Sequence, residues 1–237
     1  MVRAVKIWNK AVPAEAGTVS CLVKWKNQYA VLGVAHVLTP TCLGVSPSSR
    51  PIVEWSVSGS SEIGMIRNWD LPVSSSGWPQ GFSCDAAVAT IDDDAATKLV
   101  RQQSFLPSAM RTTPISSGEQ LYFTGAMSAV THSTRLQDED AQADFGYFVY
   151  ELGHAIPSRT VDVSLRGLIQ TDRGGAVRAG DSGCLLRDGA GRAIGILVGV
   201  DRLGSYCYFS PLQRILDGFN ATLVTDGDPL SKELGRG

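Results

Sequence analysis

Ala179-Gly180-Asp181-Ser182-Gly183 sets a serine between glycines, directly after an aspartate. Such a setting suits nucleophilic attack on a carbonyl. Serine alone is a weak nucleophile and needs a base, an acid to orient that base, and donors for the developing oxyanion. Small neighbours let a substrate backbone approach the Oγ, and glycine permits the tight turn that aims N–H groups inward. A four-residue match also arises by accident. The string therefore gains meaning only if a base and an orienting acid stand elsewhere in the chain.

The chain holds three histidines, so the search for a base is short. His36 lies in Gly33-Val34-Ala35-His36-Val37-Leu38, just after the strand-like run Tyr29 to Val34. Taken alone it reads as a core histidine at a strand end. His132 and His154 sit in polar, loop-like settings and read as surface residues, with a pocket-lining role for His154 the remoter option. Asp85, in Ser83-Cys84-Asp85-Ala86-Ala87-Val88-Ala89, is wedged between a cysteine and an apolar strand. A carboxylate buried there needs hydrogen bonds or a paired charge. A histidine Nδ1–H would satisfy it, and so would a cluster of backbone amides. Asp92-Asp93-Asp94 is a like-charge run that solvates readily and makes a poor orienter.

Around these residues the chain reads as many short β-strands. Candidates are Thr18 to Trp25, Tyr29 to Val34 after a turn at Lys26-Asn27-Gln28, Ile52 to Val57, Ala86 to Ile91, Gln120 to Thr124 and Tyr147 to Leu152. Val161 to Leu165, Ala193 to Val198 and Tyr206 to Phe209 complete the set. The runs are rich in Val, Ile, Tyr, Phe and Trp, and Gly, Pro, Ser and Asn cluster between them. Ser46 to Ser49, Gly59 to Ser61 and Ser74 to Gly77 read as surface loops, and the acidic stretch Gln137 to Asp144 as a solvated loop. Helical spacing is scarce. Pro211 followed by Leu212, Ile215, Leu216 and Phe219 predicts a C-terminal helix over 211–219, and a shorter helix is expected over 95–103. This pattern predicts an all-β fold built of barrels.

Composition excludes several function classes. The 237 residues are 43% hydrophobic and 19% charged, ordinary for a globular protein. Lys+Arg 21 against Asp+Glu 23 gives a net charge of −2, without the basic patch of a nucleic-acid binder. The most apolar run, Ala193 to Val200, is too short to span a bilayer, and residues 1–10 lack the apolar stretch of a secretory signal. A cytoplasmic location and no membrane partner are the expectations. The five cysteines, Cys21, Cys42, Cys84, Cys184 and Cys207, match no zinc or Cys-x-x-Cys spacing and read as buried free thiols. No cofactor and no metal are expected.

His36, Asp85 and Ser182 follow one another in that order. On these residues the chain resembles the chymotrypsin/trypsin-like serine proteases, which carry a triad as His, Asp, Ser. Ala35-His36 resembles the family's Ala-His element, Asp85-Ala86-Ala87-Val88-Ala89 its Asp-hydrophobic strand, and Gly180-Asp181-Ser182-Gly183 its nucleophile loop. Gly195-Ile196-Leu197-Val198 is similar to the strand that pairs with bound substrate. Tyr208 to Leu216 is similar to the final strand and helix of bacterial members, and the look is nearest to bacterial intracellular trypsin-like peptidases. The resemblance covers roughly 17–219. It implies two packed six-stranded antiparallel β-barrels with a C-terminal helix, the first over about 12–105 and the second over about 110–210. Together they form one protease unit over 1–224, followed by a polar tail or linker start at 225–237.

The resemblance further implies an active serine endopeptidase acting on a protein or peptide. Ser182 would be the nucleophile, His36 the base and Asp85 the orienter, with the Gly180 and Ser182 N–H groups as oxyanion donors. Ala176, Val198, Gly199, Val200 and Cys207 would line the specificity pocket, favouring an uncharged, small or medium apolar residue unless Asp172 or Asp201 points inward. Two features depart from the family. Cys184 stands where glycine is usual and reads as a packing change. The apolar-Gly-Gly start whose amine pairs with the aspartate before the nucleophile has no counterpart here. Asp181 is therefore expected to find another partner or none, with control by a regulatory partner or fused domain. The alternative reading is a catalytically silent module that binds a peptide or protein in the same cleft.

Overall fold

The computed structural model describes residues 4–39, 52–57, 60–71, 83–101, 106–150, 156–172 and 176–228. Lys26 and Asn27 take φ of 48° and 63°, a two-residue turn whose twist suits an antiparallel hairpin. It joins β3 (Cys21–Trp25) to β4 (Gln28–Gly33). Around this hairpin assemble β1 (Lys6–Asn9), β2 (Ala16–Thr18), β5 (Ile52–Val57), β6 (Ser60–Asp70), β7 (Ala86–Thr90) and β14 (Ala221–Leu223). They form an eight-stranded sheet in the order β14-β3-β4-β7-β6-β5-β1-β2. The second half closes into a barrel ordered β10-β13-β12-β11-β8-β9. Its strands are β8 (Gln120–Thr124), β9 (Thr131–Val149), β10 (Arg159–Asp172), β11 (Leu185–Arg187), β12 (Ala193–Val200) and β13 (Tyr206–Pro211).

This is the all-β, two-unit architecture with a short C-terminal helix that the strand pattern and the resemblance imply. The barrel has the six strands expected. The first sheet has eight rather than six, because it gathers strands from beyond 12–105: β1 ahead of that span and β14 after the C-terminal helix. The segment 137–144 is not a loop but the middle of β9, paired with β10 and mostly exposed. Its charges are solvated on a strand whose backbone is satisfied by the ladder. Ser60 and Ser61 open β6. The expected loops at 46–49 and 74–77, together with Cys42 and His154, lie outside the described residues.

Among the described residues three helices punctuate the strands: α1 (Ala35–Leu38), α2 (Asp93–Arg101) and α3 (Leu212–Phe219). The aspartate run at 92–94 starts α2. Asp92 Oδ1 accepts the Ala95 N–H at 2.7 Å, a capping bond, and carboxylates in the first turn complement the helix dipole. α3 buries Leu212, Ile215, Leu216 and Phe219 and ends at Asn220 in the left-handed conformation, as the apolar spacing predicts. Beyond it, residues of the expected tail are tied down: Asp226 N–H donates to Pro107 O at 3.0 Å, and Lys24 meets Asp228 at 3.4 Å.

One apolar core runs from Leu22 and Leu32 in the first sheet to Leu165, Ile196 and α3, and a second fills the barrel around Phe123, Ile169, Leu197 and Phe209. Among the described residues, no helix is long and apolar enough to cross a membrane. Because α3 packs on β12, β13 and β14, it braces both halves. Phe219→Ala should cost about 3 kcal/mol, read as a lower urea midpoint.

Candidate active site

Gly33 at the end of β4 pairs with Ala87 near the start of β7. The residues flanking that pair, His36 in α1 and Asp85 just before β7, therefore meet at one end of the first sheet. The His36 Nδ1 lies 2.6 Å from Asp85 Oδ2, and the His36 backbone N–H donates to Oδ1 at 3.0 Å. Asp85 is fully buried and adopts φ of 46°, a left-handed conformation that aspartate tolerates better than most residues. The strained turn is pinned on both sides. Cys84 N–H donates to Asp70 Oδ2 at 3.0 Å, and Ser210 Oγ, from the barrel, donates to Cys84 O at 2.6 Å. Tyr147 of β9 donates its phenol to Asp85 Oδ2 at 2.8 Å. The buried carboxylate is thus satisfied both by the histidine and by a backbone amide, the two options open from the sequence.

Ser182 sits in the turn before β11, held from across the molecule. Thr18 N–H donates to Ser182 O at 2.7 Å, Thr18 Oγ1 to Gly180 O at 3.1 Å, and Ser20 Oγ to Gly183 O at 2.5 Å. The approach is close enough to require glycine at 183: with φ of 92°, a Cβ there would lie 2.3 Å from Thr18 O. Asp181 is fully buried and does find partners. Its Oδ1 accepts the Met127 and Ser128 N–H groups at 2.9 and 3.0 Å, and Oδ2 accepts the Arg178 N–H at 3.0 Å. Three amides of the protein's own loops thus satisfy the aspartate that precedes the serine. Among the described residues, the N–H groups of Gly180 and Ser182 have no acceptor, which leaves them available to a developing oxyanion.

His36, Gly180, Ser182, Val198, Gly199 and Val200 line one cavity of about 310 Å³. No hydrogen bond joins the His36 and Ser182 side chains in this structure. Phe145, Tyr147 and Arg202 complete the walls near the serine, and Phe145 occupies the space a side chain at Gly199 would need, 2.7 Å from that Cβ position. Two residues expected in the pocket do not line it. Cys207 is fully buried with Ile169 and Cys184 in the barrel core. Side chains alternate along a strand, so Tyr208 takes the opposite face of β13, where its ring meets Phe145 edge-on. Ala176 stands outside the cavity, ahead of the bend at Arg178–Asp181. Asp172 is engaged by Thr134 Oγ1 and the Arg135 N–H, and Asp201 by the Tyr206 N–H; neither lines the cavity.

His132 is no loop residue. It lies in β9 against Phe123, with ring centroids 5.1 Å apart and its Nε2 buried without a hydrogen bond among the described residues. Cys21, Cys84, Cys184 and Cys207 are free and buried. Burial pushes the thiols of Cys21, Cys84 and Cys207 up to about 12 and raises that of Cys184 well above the ordinary value. Such thiols are poor nucleophiles, so Cys184 is a packing residue. Sequence reasoning did not assign site roles to Thr18, Ser20 or Tyr147. All three sat in recognisable strand patterns, but nothing local to them pointed across the interface.

No protein-family model and no curated protein matches the chain. Solved structures do. A Nocardiopsis protease (NAPase) superposes with a TM-score of 0.58 at 15% identity, covering 94% of this chain and 97% of that one. Thermobifida fusca protease A gives 0.55 at 16% identity, with the same two coverages. A Cellulomonas bogoriensis chymotrypsin gives 0.54 at 16%, covering 94% and 97%. The chain therefore has the chymotrypsin/trypsin-like serine protease fold over nearly its whole length. At this identity the likeness defines fold alone.

A Cβ at Gly125 would lie 2.0 Å from Asp181 Oδ1. Gly125→Ala should displace that carboxylate from its amides and destabilise the protein by roughly 2–3 kcal/mol. Urea unfolding measures this; an unshifted midpoint would show the loop is not held through Asp181.

Proposed function

We propose that the protein is a serine endopeptidase that hydrolyses peptide bonds through an acyl-enzyme on Ser182. The observation that carries the reading is the His36–Asp85 pair, joined at 2.6 Å, opening on the same cavity as Ser182. Ser182 Oγ attacks the scissile carbonyl carbon as His36 Nε2 takes its proton. The negative charge on the carbonyl oxygen is met by the N–H groups of Gly180 and Ser182. His36 then returns the proton to the leaving amine, the C–N bond breaks, and the acyl group stays on Ser182 until water, activated by the same histidine, releases it. Asp85 holds the imidazole tautomer and offsets the positive charge of the imidazolium.

The walls formed by Val198, Gly199, Val200 and Phe145 suit a small or medium apolar side chain at the cleaved residue. The amides holding Asp181 support a nucleophile loop that needs no new N-terminal amine, so control falls to a regulatory partner or fused domain and to a restricted substrate. The buried free thiols fit a reducing, cytoplasmic setting. One observation favours a second reading, a silent module binding peptide in the cleft: His36 and Ser182 are not hydrogen-bonded to each other. Catalytic hydrogen bonds are often long before substrate binds, so the first reading stands ahead. A fluorophosphonate serine-hydrolase probe separates them. It should label the intact protein covalently, and Ser182→Ala should abolish labelling. No labelling where a control protease reacts would sink the peptidase reading, and labelling that survives Ser182→Ala would mark a different serine.

A further inference from the structure

Asp85 and His36 come from segments at one end of the first sheet, yet a side chain from the barrel touches both. We propose that Tyr147 is a positioning residue of this site, fixing the Asp85 carboxylate through its phenol and the His36 imidazole through its ring. The inference rests on the peptidase reading above. The phenol O–H donates to Asp85 Oδ2 at 2.8 Å, the same oxygen that lies 2.6 Å from His36 Nδ1. The ring lies nearly flat on the imidazole, with centroids 4.4 Å apart and planes 13° from parallel. Tyr147 is itself buried and backed by Phe145, whose ring is stacked 5.8 Å away at 5°. Phe145 in turn sits against Gly199 and meets Tyr208 edge-on. The column Phe145–Tyr147–His36 has little freedom to slide.

Each contact removes one motion. The His36 Nδ1 bond alone leaves the imidazole free to tilt about its line to Oδ2; a parallel ring on its face stops that tilt. The carboxylate could rotate about its own axis and exchange oxygens; the phenol and the His36 N–H, held to different oxygens, stop that rotation. When the imidazole takes the Ser182 proton it becomes a cation over an aromatic face, an attraction that exists only in the charged state. The phenol takes no part in proton transfer. Burial, with the adjacent Asp85 charge, holds its proton affinity well above that of an ordinary tyrosine, so it remains a donor throughout. A tyrosine that merely filled space between the halves would be replaced by phenylalanine without loss.

Tyr147→Phe removes the hydroxyl and keeps ring and volume; Tyr147→Leu removes both contacts. The rate of covalent labelling by a fluorophosphonate should fall on the order of tenfold in Tyr147→Phe, the worth of one hydrogen bond to a charged group. It should fall further in Tyr147→Leu. The loss should lie in the inactivation step rather than in probe binding, because Tyr147 orients the base. The downfield Nδ1 proton resonance of His36 should move in Tyr147→Phe, an effect that reports the hydrogen bond without any activity. Thermal unfolding of each variant checks that the fold is kept. Wild-type labelling with Tyr147→Phe equally fast and its His36 resonance unmoved would overturn the role of Tyr147 and leave the peptidase reading intact. Wild type that does not label would overturn the peptidase reading and this one with it.

Discussion

The rest of the site depends on how a fully buried carboxylate, Asp85, is kept satisfied. A charge out of water is costly unless each oxygen is hydrogen-bonded, and no single strand could supply the donors. The first sheet provides two, the backbone N–H and Nδ1 of His36. The barrel provides the third, the Tyr147 phenol, and holds the preceding peptide through Ser210. Separating the halves would remove the Tyr147 donor and the Ser210 tether, so the burial of Asp85 ties the geometry of the site to the docking of the two units.

The same logic recurs at Ser182. The serine turn belongs to the barrel, yet three of its carbonyls, those of Gly180, Ser182 and Gly183, are bound by Thr18 and Ser20 of the first half. Asp181 is buried among amides of its own half. The first half donates to all three, through the Thr18 N–H and hydroxyl and the Ser20 hydroxyl. His36, Asp85 and Ser182 are therefore positioned by reciprocal contacts: the barrel anchors Asp85, and the first half anchors the serine turn of the barrel.

How much of this was legible beforehand depended on the range of the interaction. Hairpins and the apolar face of α3 could be read because turn chemistry and periodicity are local. His36, Asp85 and Ser182 could be read because each sits in a short motif and the chain offers few histidines. The acidic segment at 137–144 misled because exposed strand residues in a long hairpin are as polar as a loop; only pairing with β10 distinguishes them. Cys207 misled because one step along a strand exchanges one face for the other, and the side of β13 that packs into the barrel core is a tertiary fact.

By itself the sequence determined an all-β chain with a serine in a glycine turn, a histidine and an aspartate ahead of it in order, and no charge patch for a nucleic acid. Those properties follow from residue type and short-range spacing. Only the tertiary structure decided which groups complete the site: Tyr147 on His36 and Asp85, Thr18 and Ser20 on the serine turn, and loop amides on Asp181. Each of these contacts joins residues far apart in sequence, and its existence depends on strand register and on the docking of two sheets. Neither leaves a mark at the positions themselves, so Gly180-Asp181-Ser182-Gly183 could announce a serine in a tight turn but not the supports that aim it.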